Sequence, residues 1–260
     1  MGRSEITYNL WIKTKRVNNI YNFVILISFI WGFSYTASAI NDFCDLMHVT
    51  RKGNENIISY TLMEHCLRKE LDRTAERTMG IIDPVKLVLV NAPEDFKLEC
   101  KAHLFPKEPE KGSYTMTLAK ENYIDRSDIR IKDSKDFYGF AVGKVVGLKY
   151  ACPVRVTGIE TGANEEITLV RAELLKDSKE KPKSYVSWVP ANESIEIETR
   201  LYDVLFNSIV PNQEADFLSK LNPNSLSVHK NSRVHAHVNG SKLSQPKHIS
   251  NHFFFRLQGR

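Results

Sequence analysis

With 260 residues, 42% of them hydrophobic, the chain carries enough apolar mass for one large core or two modest ones, which excludes a disordered segment. Its 36 lysines and arginines against 31 aspartates and glutamates leave a net charge of +5, too mild for a global nucleic-acid-binding field, so any such surface has to be a local patch. Four well-separated cysteines with no C-x-x-C pair exclude a zinc ribbon and a dense disulfide framework, and read as free thiols in a reducing compartment.

Residues 1–35 form an atypical apolar leader. Lys13, Lys15 and Arg16 precede the apolar run Phe23 to Trp31, and Ala37-Ser38-Ala39 follows, which is the charge, apolar core and A-x-A order of a secretory signal. The run is too short for a confident membrane span, so a membrane contact is expected only if this run is genuine and retained. The sequons at Asn192 and Asn239 matter only in a secreted chain.

A helical connector is expected over residues 36–80. Thr36 is a suitable N-cap for a short helix whose stripe is Ile40, Phe43, Cys44 and Met47. A polar turn follows, in which Arg51 and Lys52 precede Gly53 and Asn54; such cations are usually solvated, with phosphate contact as the sharper reading. The second helix, near Ser59 to Arg73, carries Leu62, Cys66, Leu67 and Leu71 on one side and Glu64, Arg68, Lys69 and Glu70 on the other. His65 beside that stripe reads as packing or surface. At Asp83-Pro84 the period changes from helical to extended, and Lys86 to Val90 is a run of strand length. Arg77 sits at this junction, in a segment that has to turn sharply and so places its side chain on a rim.

Beyond Asn91, short alternating runs recur at Lys97 to Phe105, Tyr114 to Leu118, Val142 to Leu148, Val154 to Ile159, Glu166 to Leu175, Tyr185 to Val189 and Ser194 to Arg200. Turns such as Lys111-Gly112, Thr161 to Asn164 and Lys179 to Pro182 separate them, a rhythm that argues for barrels or sandwiches of antiparallel strands. A short helix with Ala215, Phe217, Leu218 and Leu221 ends at Asn222-Pro223. After Val228 the chain is polar and His-rich, and His235-Ala-His237 presents two imidazoles without a third metal ligand at suggestive spacing.

Several blocks in order resemble one family: D-P-V-K-L-V-L-x-N after an arginine, FPKEPEKGS, FYGFAVGKVVGLKYA, YVSWVPA, TRLYDVLF and DFLSKLNPNSLSV. They are similar to the anticodon-binding half of glutaminyl-tRNA synthetase, over about Tyr35 to Val228. The resemblance implies an α+β, mainly β fold in which a short helical segment is followed by two antiparallel β-barrels over residues 81–260, the last strand incomplete. It implies tRNA(Gln) as partner, no DNA, a monomer and a cytoplasmic location. Arg77 stands where the family's arginine contacts the middle anticodon base. Lys144, Lys149, Arg51, Lys52 and Arg256 are the further tRNA-binding candidates. Unpaired bases are read by hydrogen bonds to their edges and by stacking, while lysines hold the backbone.

The chain departs from the pattern at Gly139, where the family has a basic residue for the third anticodon base, and in HFFFRLQGR, a degraded form of the family's F-Q-F-E-R-L-G that retains Arg256. The H-I-G-H and K-M-S-K-S motifs that hold ATP in this class are absent from these residues, as are a P-loop, a G-x-S-x-G elbow and an H-E-x-x-H helix. The expectation is no aminoacylation by this chain alone and no cofactor in it, ATP and Mg belonging to the full-length family. Two other readings are a structural or docking β-module without RNA specificity, and a glutamyl-tRNA synthetase of the archaeal and eukaryotic type.

Overall fold

The computed structural model describes residues 42–46, 60–175, 180–207, 216–240, 247–249 and 253–255. Two compact units are formed, one from residues 1–74 and 200–228, the other from residues 75–199 and 229–260.

The larger unit is built on a seven-membered sheet that is nearly closed. Strand β3 (Pro84–Leu89) sets its grain, with Val85, Leu87 and Leu89 buried and Lys86 and Val88 between them, the period-2 pattern of a strand with one face on a core. Around it lie β6 (Glu121–Asp125), β7 (Val145–Leu148), β8 (Pro153–Thr161) and β9 (Ile167–Leu174). Leu148, Val154, Val156, Val170 and Ala172 fill the same core at 1% exposure or less. A bulge in β8 between Val156 and Gly158 bends the sheet, as closure requires.

Closure itself falls to one short segment. Strand β10 (Tyr185–Val186) pairs with β7, and β11 (Trp188–Pro190), one residue later, pairs with β6 at the opposite end of the sheet. Residues 185–190 thus act as a clasp, and Trp188 beneath it is fully buried. Two pairings in this mainly antiparallel sheet, β3 with β9 and β10 with β7, run parallel, because the chain crosses over between them.

The remaining strands are β1 (Arg77–Thr78), β2 (Gly80–Ile81), β4 (Lys97–His103), β5 (Ser113–Ala119), β12 (Ser194–Tyr202), β13 (Leu226–His235), β14 (Lys247–Ile249) and β15 (Phe253–Phe255). They form the β4–β5 hairpin and two three-stranded sheets, β12-β13-β2 and β1-β14-β15. The short strands β1, β2, β14 and β15 were not expected from the sequence, nor were β6 and β13. ENYID has too few apolar residues to show a period, and β13 is mostly exposed until Ser232.

One polar knot ties the barrel's entry. The Asp125 carboxylate accepts from the N–H groups of Ile82 (3.0 Å), Asp83 (3.3 Å) and Ser127 (3.0 Å) and from the Ser127 hydroxyl (2.7 Å). Nearby, burial and then the Asp125 charge push the Asp128 carboxyl up to about 6 from its ordinary 3.8. The folded state therefore holds this proton more tightly than the unfolded chain does. The resulting cost is absent below about pH 4, grows between pH 4 and 6, and is complete above. Asp128→Asn is expected to raise stability at pH 7.5 by on the order of 2 kcal/mol, with the gain vanishing toward pH 4. Urea titrations at the two pH values check this, and an equal gain at both refutes the assignment.

In the smaller unit, residues 42–46 are helical and a second helix runs from Tyr60 to Thr74. Phe43, Cys66 and Leu67 are buried, and Lys69 pairs with Asp42 at 3.2 Å on the exposed side. The short helix expected around Ala215 to Leu221 is a single 3-10 turn, Phe217–Lys220, since four residues before Leu221-Asn222-Pro223 leave no room for an i to i+4 ladder. Among the described residues no helix is long and apolar enough to cross a membrane; the run from Phe23 to Trp31 and Thr36 lie outside them. Cys44, Cys66, Cys100 and Cys152 form no disulfide, and burial pushes the thiols of the first three up.

Candidate nucleic-acid interface

Three pieces of chain converge around Arg77. Its N–H donates to the Leu104 carbonyl at 2.8 Å, and the Leu104 N–H donates to Gly112 at 3.0 Å, so the residue that opens β1 is fastened to the end of the β4–β5 hairpin. His103, the last residue of β4, meets the Tyr150 ring edge-on with centroids 6.1 Å apart. Tyr150 and Lys149 occupy the tight turn from β7 to β8, closed by Leu148 N–H to Cys152 (3.1 Å) and Ala151 N–H to Leu148 (2.9 Å). Tyr150 takes a left-handed φ of 64° there, which few non-glycine residues adopt, and its side chain, half-buried, packs against the edge of the core. The Lys149 ammonium lies 5.8 Å from the Tyr150 ring centroid.

The clasp holds this turn in place. The Lys149 N–H donates to Val186 at 3.0 Å, and the indole N–H of buried Trp188 donates to the Lys149 carbonyl at 2.9 Å. The backbone under Lys149 is therefore fixed from two sides before any ligand arrives.

Electrostatics ties Arg77 to both residues of the turn. Burial pulls the Lys149 ammonium below the usual lysine range, and the Arg77 guanidinium pulls it further. Burial pushes the Tyr150 hydroxyl up, and Arg77 draws it back. Two part-buried cations whose fields reach each other repel, and an anion or an electron-rich base edge nearby is favoured by both. The buried Nδ1 of His103 has no hydrogen-bond partner among the described residues.

Of the residues expected from the sequence, Arg77 and Lys149 are brought together, whereas Lys144 is not. It stands at the other end of the four-residue β7, roughly 16 Å along the strand from Lys149. Its ammonium pairs with the Asp133 carboxylate, donates to the Phe137 carbonyl, and lies 5.6 Å from the Phe137 ring centroid. Arg130 covers the same ring at 4.5 Å. The Lys144 hydrogen bond is the first cause holding Asp133 below its ordinary value. A phosphate at Lys144 has to compete with these partners. Arg51, Lys52 and Arg256 lie outside the described residues.

At Gly139 the reason for glycine is local. A Cβ there would sit 2.2 Å from the Asp128 carbonyl oxygen and 2.6 Å from the Phe137 ring, and the adjacent Phe140 N–H donates to that same carbonyl at 2.7 Å. The position is packed by backbone, so it has no room for the basic side chain that the resemblance calls for.

His235 and His237 belong to a separate polar cluster. Their Nδ1 atoms lie 3.2 Å apart, His235 Nε2 meets Glu193 Oε2 at 3.2 Å, and the His237 ring stacks on Tyr114 with centroids 3.8 Å apart. Burial drives His235 down, while Glu193 offsets part of that. These rings are committed to one another and to packing. Among the described residues no group of three or more His, Cys, Asp and Glu side chains is placed to hold a metal ion.

Sequence reasoning missed His103, Tyr150 and Tyr185. Tyr150 directly follows Lys149, so a cation beside an aromatic residue at a predicted turn was the available signal. His103 left none, because only the hairpin's return brings it to the turn.

Comparisons with known proteins identify the family. The family described as tRNA synthetases class I (E and Q), anti-codon binding domain, matches residues 75–175, and a second part under the same description matches residues 185–246. The chain is 35% identical over 253 residues to a probable glutamine–tRNA ligase of Dictyostelium discoideum, covering 93% of this chain and 32% of the relative. It is 38% identical over 202 residues to the cytoplasmic glutamine–tRNA ligase of Arabidopsis thaliana, covering 74% and 25%. It is also 38% identical over 201 residues to the glutamine–tRNA ligase of Bordetella avium, covering 74% and 34%. The first alignment leaves only about 18 of the 260 residues unmatched, so it extends into the leader. The chain spans between a quarter and about a third of the length of these relatives. With a mainly β, nearly closed barrel and both family segments in order, the chain belongs to the anticodon-binding region of the class I tRNA synthetases for glutamate and glutamine.

Proposed function

We propose that this chain recognises the anticodon loop of tRNA(Gln) and serves glutaminyl-tRNA formation in the cytoplasm. The observation that carries the reading is the Arg77–Lys149–Tyr150 cluster, two mutually repelling cations and a ring on a turn fixed by the Trp188 clasp. A guanidinium offers planar donors to a base edge, a ring offers a stacking face, and an ammonium meets a phosphate. The glutamine–tRNA ligase names of the relatives support glutamine over glutamate. ATP and Mg would be handled by a nucleotide-binding domain of the full-length family.

The test is a salt series on tRNA(Gln) binding. Arg77→Ala is expected to cost about 1–3 kcal/mol and to relax discrimination at the middle anticodon base. Lys144→Ala is expected to weaken all tRNAs alike and by less, because its charge is already partnered. Equal binding of any RNA by the parent and Arg77→Ala removes the specific version of the proposal.

A further inference from the structure

The outer face of β7 ends in an aromatic platform that the cluster around Arg77 does not include. Val146 and Leu148 point into the core, which leaves Val145, Gly147 and Lys149 on the outward face. Gly147 is directly paired with Tyr185 of β10, and paired residues project to the same side of a sheet. Tyr185 lies across the glycine: a Cβ at Gly147 would sit 2.5 Å from Cδ1 and 2.7 Å from Cε1 of the ring. The Cδ1–Cε1 side of the ring is thus seated on bare backbone, with Pro182 beside it. The side chain is nonetheless 65% exposed, more than any other large hydrophobic residue among the described residues.

The ring is also held at its root. The Ser184 hydroxyl donates to the Tyr138 carbonyl, and the Gly147 N–H donates to Ser184 at 2.9 Å. Residues 129–151 and 180–190, the two sequence segments that meet at the β7–β10 pairing, carry seven basic side chains against three acidic ones, in a chain whose overall balance is only mildly basic. Lys149, two positions along the strand from Gly147, shares its face and leads directly to Arg77.

We infer that Tyr185, seated on Gly147, is a stacking platform for an unpaired base of the bound RNA, next to the base read by Arg77. A flat ring seated against backbone on one side, largely in solvent and set between basic segments binds bases without regard to their identity, since every base has a π-face. The hydroxyl is not needed for this; the ring is. Gly147 is the enabling residue, because any side chain there pushes the ring off its seat. The inference rests on RNA binding as proposed above, and its test separates the two.

The probe is an RNA hairpin with a seven-nucleotide loop carrying 2-aminopurine at successive loop positions, titrated with the full chain. The parent is expected to quench one loop position. Tyr185→Ala should abolish that quenching and weaken binding about tenfold, while Tyr185→Phe retains both. Gly147→Ala, with the tyrosine present but displaced, should behave as Tyr185→Ala does. Unchanged quenching and affinity in Tyr185→Ala, beside a loss in Arg77→Ala, overturns the platform and leaves anticodon recognition standing. Failure of the parent to bind the hairpin at low salt overturns both. If Tyr185→Ala alters only sedimentation of the protein, the ring belongs to a protein interface and the inference is wrong.

Discussion

Trp188→Ala is expected to destabilise the larger unit by about 3–5 kcal/mol, the range for emptying a fully buried indole site. The position makes the upper part of that range the expected one. Trp188 begins β11, one residue after β10 ends, so its ring underlies the segment that joins both ends of the barrel sheet. It also donates to the Lys149 carbonyl at 2.9 Å, and its loss leaves that carbonyl without this donor. Trp188→Phe separates the two contributions. It restores most of the bulk but not the N–H, and should cost about 1–3 kcal/mol. Urea unfolding measures both. If the turn depends on the indole, Trp188→Phe also weakens RNA binding at temperatures where it is fully folded, in the manner of a Lys149 substitution. Wild-type affinity in a destabilised Trp188→Phe would show that the Lys149 turn holds itself.

Gly139→Arg is the second large effect, and its sign is opposite to what a family comparison invites. Placing the basic residue of the family pattern here should not restore recognition of a third base; it should cost about 3 kcal/mol or more. The 2.2 Å approach of a Cβ to the Asp128 carbonyl oxygen is to backbone, which cannot rotate aside without breaking the Phe140 hydrogen bond. Gly139→Ala carries the same Cβ and should lose nearly as much, so the penalty belongs to the first carbon and not to the charge. A Gly139→Arg protein with parental stability and tighter tRNA binding would show that residues 128–140 repack freely, and the packing explanation would fall.

Much of the barrel was legible because its strands face a core on one side. Val85, Leu87 and Leu89 alternate with Lys86 and Val88, and the runs in β8 and β9 do the same, so the period announced each strand. Strand β6 was hidden because Asn122 and Asp125 are buried there by hydrogen bonding, to Ala119 and to the Ile82–Asp83 turn, not by hydrophobicity. The candidate site divides along the same line. Arg77 and Lys149 were visible as charged residues at a junction and a strand end. Their proximity was not, since it depends on a hairpin, a turn and the clasp, which lie far apart in sequence. Lys144 looked equivalent to Lys149, and only its pairing with Asp133 and Phe137 distinguishes them.

The clasp also dictates the order in which the molecule can be completed. When residue 174 leaves the ribosome, five barrel strands exist, but the outer rows of N–H and C=O groups on β6 and β7 face water with nothing to bond to. They stay open until residues 185–190 emerge and cover both at once. A nascent chain paused before residue 185 is a bare sheet with two adhesive margins, the form most prone to join its neighbours. Those six residues are therefore the latch that ends the vulnerable interval of biosynthesis as well as the support beneath the turn.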